Sequence, residues 1–283
     1  MAYECKFCFI RSFEKLLKER SFPEEKKDEI LTAFLKYIAE VDSSQISPLI
    51  GREMEIMVKK YLNNPDPYKE EKRQSNQFLL NLYPKFKKKV ETASNPFETA
   101  LRLAIAGNII DYAASTNFNV MDNINYVLNA KFGIDHSREL ETAIKQANTI
   151  LYLGDNTGEI VLDKLFIETI GHPNVYFAVK EKPVINDATM EDARYTGMDK
   201  VAKIISNGYD APSTILDKSS KEFIEIYQHA DLVISKGQGN LEGLFRSGKE
   251  NTFFLLMVKC DVIARLVGVK KDDFVVFKKS LCK

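Results

Sequence analysis

Five of the apolar runs in the second half of the chain are followed at once by residues that can hold a cation or an anion. Gly154-Asp155-Asn156-Thr157-Gly158-Glu159 follows the run Thr149 to Leu153. Lys180 and then Asn186-Asp187-Ala188-Thr189 follow Val175 to Val179. Ser206-Asn207-Gly208 follows Val201 to Ile205, Lys236-Gly237-Gln238-Gly239-Asn240 follows Asp231 to Ser235, and Lys259-Cys260 follows Thr252 to Met257. Asp155, Asn156 and Asp187 offer two carboxylates and an amide, a hard oxygen set suited to Mg²⁺ or Mn²⁺. Lys236 stands beside a glycine-flanked turn whose backbone N–H groups could bind phosphate oxygens. A divalent cation held by two carboxylates is near neutral, so a lysine would supply the main protein charge facing a phosphate dianion. Such a set suits phosphoryl chemistry.

Each piece has a plainer reading. Asp155-Asn156 after a strand can be an Asx turn and helix cap, and Asn186-Asp187-Ala188-Thr189 can be a cap as well. A lone Lys236 would ordinarily be a solvated lysine. The stronger reading rests on convergence, because ligands of open α/β sheets bind beyond the carboxyl ends of the strands. In the helical stretch Leu101 to Tyr112, Asn108 and Asp111 border the apolar stripe formed by Leu101, Ala104, Ile105, Ile109 and Tyr112. A carboxylate and an amide beside a core face need partners, within a structural network or lining a cleft.

The elements that must carry these residues differ between the halves of the chain. Residues 1–148 read as helices: Ile30, Leu31, Phe34, Leu35 and Ile38 recur on one face, as do Met54, Met57, Val58, Tyr61 and Leu62, and then Phe78, Leu79, Leu82 and Phe86. Residues 149–283 alternate short apolar runs, the last of them Phe274 to Phe277, with helical stretches beginning near Glu159, Ala188, Ser219, Leu241 and Lys259. That alternation predicts an α/β domain with a mostly parallel sheet and right-handed crossovers. The runs are apolar throughout, as strands covered on both faces should be.

Composition narrows the partners. Lys plus Arg and Asp plus Glu both number 40, so no bulk charge favours nucleic acid or an anionic membrane surface. The apolar run Phe7 to Ile10 is far shorter than a secretory h-region, and no stretch approaches the length that spans a bilayer. Four cysteines without an export signal fit a reducing compartment, and the cytoplasm is the expected location.

Taken together, Cys5-Lys-Phe-Cys8, Gly107-Asn108-Ile-Ile-Asp111, Gly154 to Glu159, Asn186 to Thr189 and Lys236 to Asn240 resemble the metal-dependent damage-control phosphatase family, long catalogued as domain of unknown function 89. The segments come in the family's order and span nearly the whole chain. The Cys5 and Cys8 pair is similar to the stand-alone microbial branch. This resemblance implies a helical N-terminal region on a Rossmann-like three-layer domain, and a divalent metal (Mn, Mg, Ni or Co) held at Asp155, Asn156 and Asp187. Lys236 would correspond to the phosphate-binding lysine and act with those three in catalysis. Gly237, Asn240, Glu159, Asn186, Asn108 and Asp111 would lie around the substrate, a small phosphorylated metabolite such as a sugar phosphate or a damaged phospho-metabolite. Gln238 stands where other branches carry Asp, so their sugar-phosphate preference does not transfer directly. The attacking group would be a water or the Asp155 carboxylate; Thr157 stands where a haloacid-dehalogenase-type motif wants Asp.

Other readings remain open on the residues alone. Cys5-x-x-Cys8, with Cys260, could form a thiol or metal site, although two thiolates do not complete a four-ligand zinc site. A thiol redox protein or metal sensor would leave the acidic cluster unexplained. A nucleotide-binding protein would want G-x-G-x-x-G after the first strand, where Gly-Asp-Asn-Thr-Gly-Glu stands. A non-catalytic binder of metal and phosphorylated metabolites would keep the same cleft without turnover.

Overall fold

A computed structural model describes residues 3–113, 120–246, 249–278 and 280; the side chains of 108–113, 120, 121 and 123 are not described. Three helices open the chain: α1 (Tyr3–Glu19), α2 (Lys27–Glu40) and α3 (Ser47–Leu62). Their apolar residues recur at helical spacing and close a core of their own, in which Phe13 stacks on Phe34 at 4.0 Å and Ile30, Ile38, Ile50, Met54 and Val58 fill the remainder. Leu35, expected on the same stripe, is instead exposed.

Next come α4 (Lys69–Glu91), α5 (Pro96–Ala113), α6 (Val120–Asn129), a two-residue strand β1 (Ile134–Asp135) and α7 (Ser137–Gln146). The α/β alternation then follows as β2 (Ile150–Leu153), α8 (Glu159–Ile170), β3 (Val175–Val179), α9 (Met190–Tyr195) and β4 (Lys203–Ser206). It is completed by α10 (Lys221–His229), β5 (Leu232–Lys236), α11 (Gly237–Leu244), β6 (Thr252–Met257), α12 (Asp261–Val267) and β7 (Phe274–Lys278).

The strands form one sheet in the order β1-β7-β6-β5-β2-β3-β4. From β6 to β4 all neighbours are parallel; β7 runs antiparallel to β6, and β1 pairs parallel with β7. Strand alternation divides the side chains between two layers. Ile150, Tyr152, Phe177 and Ile234 face the core shared with α4 to α8, whereas Leu151, Leu153, Ala178 and Val233 face α10, α11 and α12. Burial on both faces accounts for the continuous apolar runs. Helices α4 to α7 therefore share their core with the sheet, with Leu79, Leu101, Ile124 and Leu140 among its members. Strand order reverses between β2 and β5, which leaves a crevice beyond their carboxyl ends. Among the described residues no helix is long and apolar enough to cross a membrane.

Candidate active site

The residues after β2 and β3 are held together by backbone before any side chain is considered. Asn156 and Asp187 form an isolated antiparallel bridge, and Lys180 bridges Thr189. Ala188 N donates to Asp155 O at 2.9 Å, and Thr157 N donates to Asn186 O at 2.9 Å. Both segments do supply helix N-caps, but through Gly158 and Thr189 and not through their ligand-type residues. The N-cap of α8 is Gly158, in a left-handed conformation, and Asn76 from α4 satisfies it by accepting from Gly158 N at 2.7 Å. The N-cap of α9 is Thr189, closed by Asp192, whose carboxylate accepts from Thr189 N at 3.0 Å and from Thr189 Oγ1 at 2.7 Å. Asp155, Asn156 and Asp187 are thus not the N-caps of α8 or α9, and they are almost wholly buried.

Burial governs their electrostatics. Desolvation pushes the Asp155 carboxyl up, and Glu159 adds to the rise while Lys180, Lys259 and Lys236 oppose it. Asp187 is pushed to about 8 by burial, which the nearby Lys180 only partly offsets. Lys180 Nζ lies 3.4 Å from Asp187 Oδ2, a long contact that leaves that buried oxygen weakly satisfied. Asn156 donates through Nδ2 to Asp155 Oδ2 at 3.0 Å and to Glu159 Oε2 at 3.2 Å, which turns its amide oxygen the other way.

These atoms fit a hard divalent cation. Two buried carboxyls, one with a weakly satisfied oxygen, and an amide oxygen are oxygen donors of the right chemistry. Among the described residues no three His, Cys, Asp or Glu side chains converge as metal ligands. A cation here would therefore complete its shell with water or substrate oxygens, as Mg²⁺ commonly does.

On the other side of the crevice, α11 starts at Gly237, four residues earlier than the sequence pattern predicts. The run Gly237 to Asn240 is therefore the first turn of a helix, and its leading N–H groups have no helical acceptor. Gly237 has φ +76, and a Cβ on it would lie 1.9 Å from Asp155 Oδ2, so the turn and the carboxylate are in direct apposition.

Lys236 is engaged differently from the sequence expectation. It is fully buried, and its ammonium donates to Ala104 O at 2.8 Å, Glu159 Oε1 at 2.6 Å and Asp163 Oδ1 at 2.6 Å. Those three acceptors take all of its N–H groups. Burial alone would push its pKa down, but Asp163 and Glu159 outweigh that and hold it up. Asp163 also accepts from Tyr152 Oη at 2.7 Å, and burial lifts it to about 7 despite Lys236. Asn240 is likewise turned inward: Nδ2 donates to Gly154 O and Lys236 O at 3.2 and 2.9 Å, and Oδ1 accepts from Lys180 Nζ and Thr214 Oγ1 at 3.3 and 3.0 Å. Glu159, Lys236 and Asn240 thus form the frame behind the crevice. Asn186 stands in the loop beside Asp187 and holds Thr157 through its carbonyl. The side chains of Asn108 and Asp111 lie outside the described residues.

Sequence reasoning passed over Asp163, Asn76 and Tyr152, and named Lys180 without giving it a role. For Asp163 a signal exists, since it lies one helical turn after Glu159 and so on the same face of the helix. Asn76, more than eighty residues away from Gly158, has none.

Cys5, Cys8 and Cys260 line one cleft of about 560 Å³ together with Arg11, Gln238 and Lys259. Gln238 accepts from Lys259 N at 2.9 Å and donates to Glu242 Oε1 at 3.1 Å. Glu4 and Arg265 tie α1 to α12 through two contacts of 2.8 Å.

Comparison with known proteins covers nearly the whole chain. A damage-control phosphatase of Pyrococcus horikoshii is 34% identical over 98% of both chains. An uncharacterized protein of Methanocaldococcus jannaschii is 34% identical over 98% of this chain and 94% of its own. A damage-control phosphatase of Archaeoglobus fulgidus is 33% identical over 85% of this chain and 86% of its own. The crystal structure of a DUF89 family protein from Pyrococcus horikoshii superposes with a TM-score of 0.90, at 33% identity and 98% coverage of each chain. Residues 1–275 match the damage-control phosphatase ARMT1-like domain, and the chain belongs to that family.

Proposed function

We propose that this protein is a metal-dependent phosphatase that hydrolyses small phosphorylated metabolites, damaged ones among them. The observation that carries the reading is the meeting of Asp155, Asn156 and Asp187 with the N-terminus of α11 at the switch point between β2 and β5. The names of two relatives support the phosphatase class.

Asp155, Asn156 and Asp187 would hold the divalent cation, which supplies charge neutralisation at the phosphoryl oxygens and acidifies a neighbouring water. The chain's own contribution is orientation. The bridge between Asn156 and Asp187 fixes the spacing of two ligands taken from different strands. The first-turn N–H groups of α11 would serve as fixed dipoles for developing negative charge, without reorganisation during reaction. Lys236 holds Glu159 in place, and Glu159 in turn accepts from Asn156. Hydrolysis breaks the bond between phosphorus and the ester oxygen, water supplies the new oxygen, and the alcohol leaves with a proton.

The test is release of inorganic phosphate from a panel of sugar phosphates and other phosphate esters. The protein is treated with EDTA, and Mn²⁺, Mg²⁺, Co²⁺ or Ni²⁺ is then returned. Turnover restored by metal supports the reading and ranks substrates. Tight metal binding with no turnover on any ester would replace it with a non-catalytic binder.

A further inference from the structure

We infer that Lys180, not Lys236, is the ammonium that meets the substrate's phosphoryl group. This rests on the phosphatase reading above. An ammonium has three N–H donors and no acceptor. All three of Lys236 are taken by Ala104, Glu159 and Asp163 at 2.6–2.8 Å, and its charge is matched by two carboxylates inside a closed pocket. Delivering it to a phosphate would strip a buried carboxylate of its counter-charge, a step that costs several kcal/mol.

Lys180 is placed otherwise. It directly follows β3, and its backbone is pinned by the N–H bond to Ala188 O at 3.0 Å and by the bridge to Thr189. Its ammonium is buried, yet among the described residues it has only two partners, both long: Asp187 Oδ2 at 3.4 Å and Asn240 Oδ1 at 3.3 Å. At least one N–H therefore has no acceptor, and neither of the other two is tightly held. Both partners can release it. Asn240 Oδ1 keeps Thr214 Oγ1 at 3.0 Å, and Asp187 would exchange the lysine for the cation it is proposed to bind. Lys180 also exerts the largest electrostatic pull of any lysine on Asp155, ahead of Lys259 and Lys236. Its ammonium is a positive charge at the crevice that is fixed through the backbone and only loosely held.

The experiment measures the binding of inorganic phosphate and of Mn²⁺ separately, in wild-type protein and in Lys180→Met. Phosphate binding is read by calorimetry on Mn²⁺-loaded protein, and Mn²⁺ binding by electron paramagnetic resonance without phosphate. The expected result is a rise in the phosphate Kd of about 10-fold or more, the loss of a charge-assisted contact, with Mn²⁺ affinity held within roughly 3-fold. Unchanged phosphate affinity in the variant overturns the inference. So does parallel loss of Mn²⁺, which would make Lys180 a support for the metal ligands alone, and so does wild-type protein that binds no phosphate. Should Lys180→Met fail to fold, wild-type protein labelled with ¹⁵N at the lysine ammonium decides, with Lys180→Arg to assign the resonance. The Lys180 Nζ signal must shift on phosphate addition, and a shift confined to other lysines overturns the inference. Ester hydrolysis by wild type, measured alongside, separates the two claims. Hydrolysis with phosphate binding indifferent to Lys180 leaves the phosphatase reading standing alone, whereas Lys180-dependent phosphate binding without hydrolysis of any ester leaves a binder.

Discussion

Replacing Gly237 by alanine should disable the site while leaving the protein folded. Gly237 opens α11 with φ +76, and its Cα hydrogens face the Asp155 carboxylate. A Cβ would lie 1.9 Å from Asp155 Oδ2 and 2.4 Å from Cγ; real Cβ contacts essentially never fall below 3.0 Å, so the carboxylate or the turn must give by about 1 Å. The left-handed backbone costs an alanine roughly 1–2 kcal/mol, which a folded domain tolerates. A displacement of about 1 Å in a reacting array costs on the order of 100-fold in rate. Gly171→Ala is the matched control. Gly171 also has positive φ, at +59, but a Cβ there meets nothing within 4 Å. Both variants should stay folded by thermal unfolding, with Gly237→Ala losing more stability than Gly171→Ala because of the clash. Only Gly237→Ala should lose turnover, by about 100-fold, together with Mn²⁺ affinity. Turnover in Gly237→Ala within roughly 3-fold of wild type would refute the placing of Asp155 at the reaction centre.

Three other perturbations follow from the same geometry. Lys236→Met leaves Glu159 and Asp163 without their shared counter-charge, so it should cost about 3–5 kcal/mol in denaturant unfolding. Asn76→Ala removes the external cap of Gly158 N and should cost about 1 kcal/mol or more by the same measurement. Glu55 on α3 is buried, and that burial lifts its pKa from 4.5 to about 7; Lys59 and Arg20 pull it down only in part, and Asp66 adds to the rise. The folded state therefore binds this proton more tightly than the unfolded state, and the resulting stability is complete below pH 4.5 and lost as pH rises through about 7. Glu55→Gln should accordingly stabilise the protein above that pH by on the order of 3 kcal/mol at most, and change little in acid. A melting difference that does not grow with pH would contradict this.

Much of the fold was legible because buried parallel strands leave unbroken apolar runs. Val175–Val179 and Thr252–Met257 stand where the runs predict them. The two-residue β1 carries no pattern long enough to read; its place is set by β7, through Gly133 N donating to Phe274 O at 2.9 Å. Phe78 was expected on a buried stripe and is exposed, because periodicity marks a face without saying how wide the covering partner is. At the site, residues that follow strands were legible because topology fixes where strand ends go. What was not legible is how charge is shared. Lys236 and Lys180 look alike in sequence, and only Glu159 and Asp163 of α8, each 2.6 Å from the Lys236 ammonium, separate a saturated ammonium from an available one.

The central claim is that Asp155 and Asp187 hold a divalent cation on which hydrolysis depends. Its most direct test is Mn²⁺ binding and phosphate release measured on the same samples of wild type, Asp155→Asn and Asp187→Asn. The account predicts that EDTA abolishes wild-type turnover, that Mn²⁺ restores it, and that both variants, folded by thermal unfolding, lose tight Mn²⁺ binding and turnover together. Full turnover in Asp155→Asn, or wild-type turnover that survives removal of metal, would contradict it.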